Sequence, residues 1–389
     1  MNFDQITDRH HTHSTKWDMM EKLYGVPAED GISMWVADMD FQAADPVKAE
    51  LRAMLDHGVL GYYGDDASYR AAIGWWMHTR HSWEVDPEAI FTTPGIVNGV
   101  ALCIDAYTAP GDGIVLFTPV YHAFARIIRA SGREGVECAL RNVDGRYQLD
   151  IAAWDKQMTG REKMLVLSSP HNPGGRVWSR AELEEIRDFC IRHDLLLISD
   201  EIHHDLVFPG TTHTPFALIE GVEDRLIMMS STTKTFNIAG IHTGNVIIPD
   251  ARLRAPFAAR MAALGIWSNA FGFRLAEAAY SPEGAKWVDA LVAYLDGNRK
   301  LFDAGVNAIP GVRSMPLEST YLAWVDFSAT GMAEAEVNDR VLKRARLAAN
   351  LGPTFGKGGE NFLRFNFATP RAVVEEAVNR LAEAFADLQ

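Results

Sequence analysis

The chain has 389 residues, 48% of them hydrophobic and 23% charged, with a formal net charge of -14. That is enough chain for two domains with buried cores, and an acidic balance without basic clusters excludes a nucleic-acid footprint. Three cysteines, Cys103, Cys138 and Cys190, are odd in number and far apart, which argues against a disulfide framework or zinc site and for a reducing, cytoplasmic setting.

The first ten residues lack the apolar core of a signal peptide, and no stretch approaches membrane-spanning length. His10, His11 and His13 lie together without the spacing of a known metal motif and read as an exposed segment. Thr92-Thr93-Pro94-Gly95-Ile96-Val97-Asn98-Gly99 reads as a glycine-containing turn opening an apolar helix. The unpaired N–H groups of such an N-terminus suit an anion, and Gly95, Ile96 and Val97 are the expected donors. Apolar runs at 114–117, 164–167, 195–198 and 226–229 are strand candidates, and 180–192 carries apolar residues at helical spacing. Strand, helix, strand implies parallel pairing, so the expected class is α/β.

The segments just past these runs carry the chemistry. The run at 164–167 leads into a Pro- and Gly-marked turn containing Asn172, whose amide can donate to a ligand oxygen while the glycines allow close backbone approach. The next run stops at Asp200-Glu201-Ile202-His203-His204-Asp205. Glu201, His203, His204 and Asp205 look like metal ligands but lack a known motif spacing, so no metal is expected. The run at 226–229 precedes Ser230-Ser231-Thr232-Thr233-Lys234, and Lys234 has no charged residue within eight positions on either side. An amine held among hydroxyl and apolar groups just past a strand end can condense with an aldehyde, and open α/β sheets collect ligands at that edge. Ser281-Pro282-Glu283-Gly284 then breaks the pattern ahead of a long helix with Trp287, Leu291, Tyr294, Leu295, Leu301 and Phe302 on one face; a domain hinge is placed there.

The ordered set Asn172-Pro173-x-Gly175, Asp200-x-x-His203, Ser231-x-x-Lys234 and Arg364-x-Asn366 resembles the fold-type I pyridoxal phosphate (PLP) enzymes of the aminotransferase class I/II superfamily. Lys16-Trp17-Asp18, Trp35-Val36-Ala37-Asp38-Met39-Asp40-Phe41, Lys234-Thr235-Phe236-Asn237 and Arg364-Phe365-Asn366-Phe367 narrow the resemblance to the MalY/PatB group of cystathionine β-lyases and other C–S lyases. These motifs span nearly the whole chain.

The resemblance implies a mostly parallel sheet flanked by helices plus a smaller α+β domain, with residues 46–284 as the large PLP-binding domain and 1–45 with 285–389 as the small discontinuous one. It implies Lys234 as Schiff-base lysine and proton shuttle, Asp200 on the pyridinium nitrogen and Asn172 at the phenolic oxygen. His203 would stand where many aminotransferases have a tyrosine, with Tyr121 against the ring. Arg364 would hold the substrate carboxylate, its planar fork matching two carboxylate oxygens. Ala37 and Trp35 would border the substrate. Gly95, Ile96, Val97 and Ser231 would hold the phosphate, joined by Tyr62 of the partner subunit in a homodimer with shared active sites. Many aminotransferases carry a phosphate-binding arginine after the lysine; here His242 stands in that stretch.

The implied function is a PLP-dependent C–S β-lyase cleaving cystathionine or related cysteine S-conjugates to a thiol, pyruvate and ammonia. A PLP-dependent aminotransferase is the alternative, since Lys234 serves both reactions; a PLP-containing regulatory or binding protein is the third reading.

Overall fold

The computed structural model describes residues 1–388. Seven strands form the central sheet: β1 (Ile90–Thr93), β2 (Gly113–Thr118), β3 (Glu134–Ala139), β4 (Glu162–Ser168), β5 (Leu196–Asp200), β6 (Leu226–Ser230) and β7 (Gly244–Ile247). Their spatial order is β3-β2-β4-β5-β6-β7-β1, parallel from β3 to β6, with β7 antiparallel to both of its neighbours. All four apolar runs are strands of this sheet. β2 and β6 are buried along their full length, as expected for strands covered on both faces.

Among the helices around the sheet and the site are α1 (Ala67–His81), α2 (Ile96–Tyr107), α3 (His122–Ala130), α4 (Arg180–Arg192), α5 (Pro282–Asn307) and α6 (Arg371–Ala384). The limits of α4 are encoded locally. Ser179 accepts from the Glu182 N–H and the Glu182 carboxylate reaches back to the Ser179 N–H, a capping box that satisfies otherwise unpaired donors. α5 begins where the sequence breaks, with Ser281 accepting from the Gly284 N–H and proline in the first turn. Trp287, Leu291, Leu295 and Phe302 are buried on its inner face.

Four short strands, β8 (Arg313–Ser314), β9 (Leu322–Asp326), β10 (Asn350–Leu351) and β11 (Phe362–Asn366), form a second, antiparallel sheet in the order β8-β9-β11-β10. α5 and α6 pack on each other beside it. The largest apolar cluster joins Trp76 and Phe236 to Trp287, Phe302 and Phe365, so packing is continuous past the expected hinge. No helix among the described residues is long and apolar enough to cross a membrane.

Register explains how distant residues meet. Ser168 pairs with Asp200 and Asp200 with Met229, which places the carboxyl ends of β4, β5 and β6 side by side. Because β7 runs the other way, its first residue, Gly244, lies against Thr93 at the end of β1. The turns after β1, β2, β4, β5 and β6 and the turn before β7 therefore share one rim.

Candidate active site

That rim encloses a cavity of about 370 Å³. Of the residues expected from sequence, Ala37, Gly95, Ile96, Val97, Tyr121, Asn172, Asp200, His203 and Lys234 all line it, and His242 does too. Four others stand outside the wall: Ser231, Arg364, Trp35 and Tyr62.

Lys234 sits on a single helical turn, Thr232–Thr235, begun by Ser231, whose hydroxyl accepts from the Thr233 N–H and donates to the Thr243 carbonyl at 2.6 Å. With its hydroxyl so engaged, Ser231 supports the wall from behind, and Thr233 and Thr243 face the cavity. Lys234 Nζ donates to the Ala37 carbonyl at 2.6 Å. Burial pulls its ammonium down from 10.5 to about 8; Arg364 acts in the same direction, while Asp38 and Asp200 oppose it.

Asp200 is buried and accepts from the Ile202 N–H at 3.1 Å. Burial, helped by the neighbouring Glu201, pushes its carboxyl up to about 7. Burial, then the cations of Lys234 and Arg364, hold His203 neutral, down to about 3, and its Nδ1 has no partner. Tyr121 stands three residues past β2 at the head of α3, its phenol pushed up by burial.

Arg364, in β11 of the second sheet, is buried just behind Asn172. Its two terminal nitrogens donate to Asn172 Oδ1 and to the Trp35 carbonyl, each at 2.9 Å, while Nε has no partner. The Asn172 amide oxygen is thus occupied, and its nitrogen makes no hydrogen bond among the described residues. The Trp35 ring packs on Tyr24 and donates to the Lys16 carbonyl, so Trp35 meets the site through its backbone. Tyr62 is fully exposed and away from the cavity.

The N-terminal motif is a strut. Lys16, fully buried, pairs with Asp40 at 2.7 Å, Trp17 donates to the same carboxylate at 2.9 Å, and Arg9 spans Asp38 and Asp40. Asn366 donates from its amide to the Val36 and Asp38 carbonyls at 2.6 Å each, holding Ala37 over Lys234. A second cavity, about 600 Å³, opens on the far side of Ala37 and Lys234 and is lined by Arg9, Asp38, Asp40 and Asn237. A depression of about 850 Å³ beside His10, His11 and His13 is an open surface feature that shares no lining residue with the cavity.

Alternation along the turn after β5 separates its groups. His203 faces the cavity, whereas His204 and Asp205 turn away and meet His81 of α1, with ligand-type atoms all within 4.8 Å of one another. Sequence reasoning also missed Arg126, Asn98 and Ser168 on the wall. Arg126 follows His122 by four positions on α3, one helical turn, which is a spacing no motif marks.

The chain matches the family Aminotransferase class I and II over residues 31–381. It is similar to cystathionine beta-lyase PatB of Bacillus subtilis (strain 168), 38% identical over 388 residues, covering 99% of this chain and 100% of that protein. Its structure is similar to that of cystalysin from Treponema denticola, which contains a pyridoxal 5'-phosphate cofactor: TM-score 0.95, 35% identity, coverage of 100% and 99%. A PLP-bound C-S lyase from Staphylococcus hominis gives a TM-score of 0.91 at 29% identity, with 99% and 98% covered. With the match running from before Ala37 to beyond Arg364 and enclosing the whole cavity, the chain belongs to the aminotransferase class I and II family.

Proposed function

We propose that this protein is a PLP-dependent C–S β-lyase acting on cystathionine or related cysteine S-conjugates. The observation that carries the reading is the pairing, in one cavity, of a lysine amine drawn down to about 8 with a buried carboxylate that has no cation bonded to it. The full-length likeness to PatB supports the lyase over the aminotransferase.

The residues fit the cofactor. A buried carboxylate with a single hydrogen bond calls for a protonated partner such as a pyridinium nitrogen. The first N–H groups of α2, entered through Gly95 at φ 102, have no acceptor within their helix and suit a phosphate. Gly244 permits this approach, since a Cβ there would lie 2.8 Å from Gly95 C and Ile96 N. When bound, the cofactor supplies an electron sink for the carbanion formed at Cα.

The chain's own groups do the rest. Arg364, whose Nε has no partner and whose terminal nitrogens each keep a second hydrogen, would receive the α-carboxylate. Lys234 Nζ, neutral in a large fraction of molecules near pH 8, takes the α-proton and is then an ammonium able to donate to the departing thiolate. His203, neutral, adds no charge beside Asp200. The overall balance is S-conjugate plus water giving thiol, pyruvate and ammonia.

We further propose that the protein works as a cytoplasmic homodimer, with residues 1–45 and 285–389 as a smaller domain. Support comes from the exposed apolar side chains Leu55, Val59, Leu60 and Trp267, together with Tyr62. Tyr62 of the partner subunit would complete the phosphate site, and the Trp35 backbone, whose carbonyl holds Arg364, would border the substrate. Purified protein incubated with cystathionine and no keto acid should release pyruvate steadily. Turnover only after adding a keto acid would establish the aminotransferase, and no turnover in either case the binding protein.

A further inference from the structure

A single helical turn cannot hold itself in place in water, because one or two hydrogen bonds do not repay the ordering of its residues. The turn that carries Lys234 is four residues long. What orients it must come from side chains around it. On one side Asn237 donates to the Met39 and Phe41 carbonyls at 2.9 and 2.7 Å and accepts from the Met39 N–H. On the other side, Thr235 Oγ1 donates to Asp205 Oδ2 at 2.8 Å.

Asp205 is a fully buried anchor. Its Oδ1 accepts from Trp76 Nε1 at 3.0 Å and His81 Nε2 at 2.9 Å, both from α1, and His204 Nε2 lies 3.2 Å from Oδ2. Metal-type ligand atoms gather here, but both carboxylate oxygens are already engaged by hydrogen-bond donors, which favours a network over an ion site. Asp205 lies on the same turn as Asp200 and His203. The Thr235 bond therefore joins the amine-bearing turn directly to the turn bearing the two cavity groups that face the amine.

We propose that Asp205, acting through Thr235, is a positioning residue that sets where Lys234 Nζ stands relative to Asp200 and His203. The proposal rests on Lys234 being the working amine, and its test separates the two. Thr235→Val keeps the shape and removes the donor; Thr235→Ser keeps the donor. Displacement of a reacting group by about 1 Å can cost about 10²-fold in rate, so Thr235→Val should lower kcat at least about tenfold with KM unchanged. It should also move the pH at which the absorbance of the bound cofactor titrates, and Thr235→Ser should restore both.

Wild-type kcat and an unmoved absorbance titration in Thr235→Val would overturn the proposal, as would a loss that Thr235→Ser fails to restore. Failure of the lyase reading is distinguishable, because the absorbance titration reads Lys234 whatever reaction it serves. Metal enters as a direct check: a kcat that a chelator abolishes and Zn²⁺ restores would replace the proposal with an ion site.

Discussion

Asp200 and Asp205 are five residues apart on one turn, both buried, and their environments are opposite. Asp205 meets donors on each oxygen; burial alone would push its carboxyl up, but the His204 and His81 imidazoles outweigh it and hold it well below the usual range. Asp200 has one backbone donor, and burial pushes it up to about 7. The same residue type is thus satisfied by the protein itself at one place and left wanting at the other, which is where a cofactor is proposed to meet it. The Lys16–Asp40 pair belongs with Asp205: burial pushes Asp40 up, but Lys16, with Trp17 and Arg9, outweighs it and holds the carboxyl below its usual value.

The comparison can be broken most severely at the unsatisfied site. Lys234→Ala should lower kcat on the order of 10⁴-fold, since it removes the group proposed to move the α-proton; a residual rate within tenfold of wild type would place the chemistry elsewhere. Arg364→Ala comes next. Losing a buried charged hydrogen-bond partner costs about 2–5 kcal/mol, so kcat/KM should fall by roughly 10²-fold while borohydride still labels Lys234.

The two aspartates then give opposite stability signs. Asp200 has a folded value of about 7 against 3.8 unfolded, so the native state binds more protons between those values and stability of the cofactor-free protein falls as pH rises through that window. Asp200→Asn should remove this burden and raise Tm at pH 8 while abolishing most activity. Asp205 is depressed, so its stabilisation is present above the unfolded value and is lost on acidification. Asp205→Asn should lower Tm at pH 8, with a loss of about 3–5 kcal/mol in stability if the buried network breaks. Calorimetry at pH 5 and pH 8 reads both signs; a lower Tm for Asp200→Asn at pH 8 would dissolve the contrast.

The smallest effect is expected at Gly244→Ala. Overpacking costs about 1–3 kcal/mol, and the strain would fall on the Gly95–Ile96 turn. PLP affinity of the cofactor-free protein should drop about tenfold while pyridoxal, which lacks the phosphate, binds as before. Equal losses for both would mean that the turn does not serve the phosphate.

Much of this was legible in the sequence because its signals are local. Four apolar runs became four strands, the helical spacing over 180–192 became α4, and residues just past the strand ends became the cavity wall. Register is not local. That Gly244 would lie against Gly95, and that Thr235 would meet Asp205, depend on strand order and on α1 packing beneath the turn, which no spacing encodes. Ser231 and Trp35 show the same limit from the other direction: their positions are near the site, but the hydroxyl and the indole are bonded away from it. Tyr62 is exposed and does not line the cavity of its own chain.

Everything proposed for the cavity turns on Lys234 being the amine it was built around. Borohydride reduction of the PLP-loaded protein followed by peptide mapping puts that to the test without assuming any reaction. One reduced adduct is expected, on Lys234 and absent from Lys234→Ala; an adduct on any other lysine, or one that survives that substitution, would contradict it.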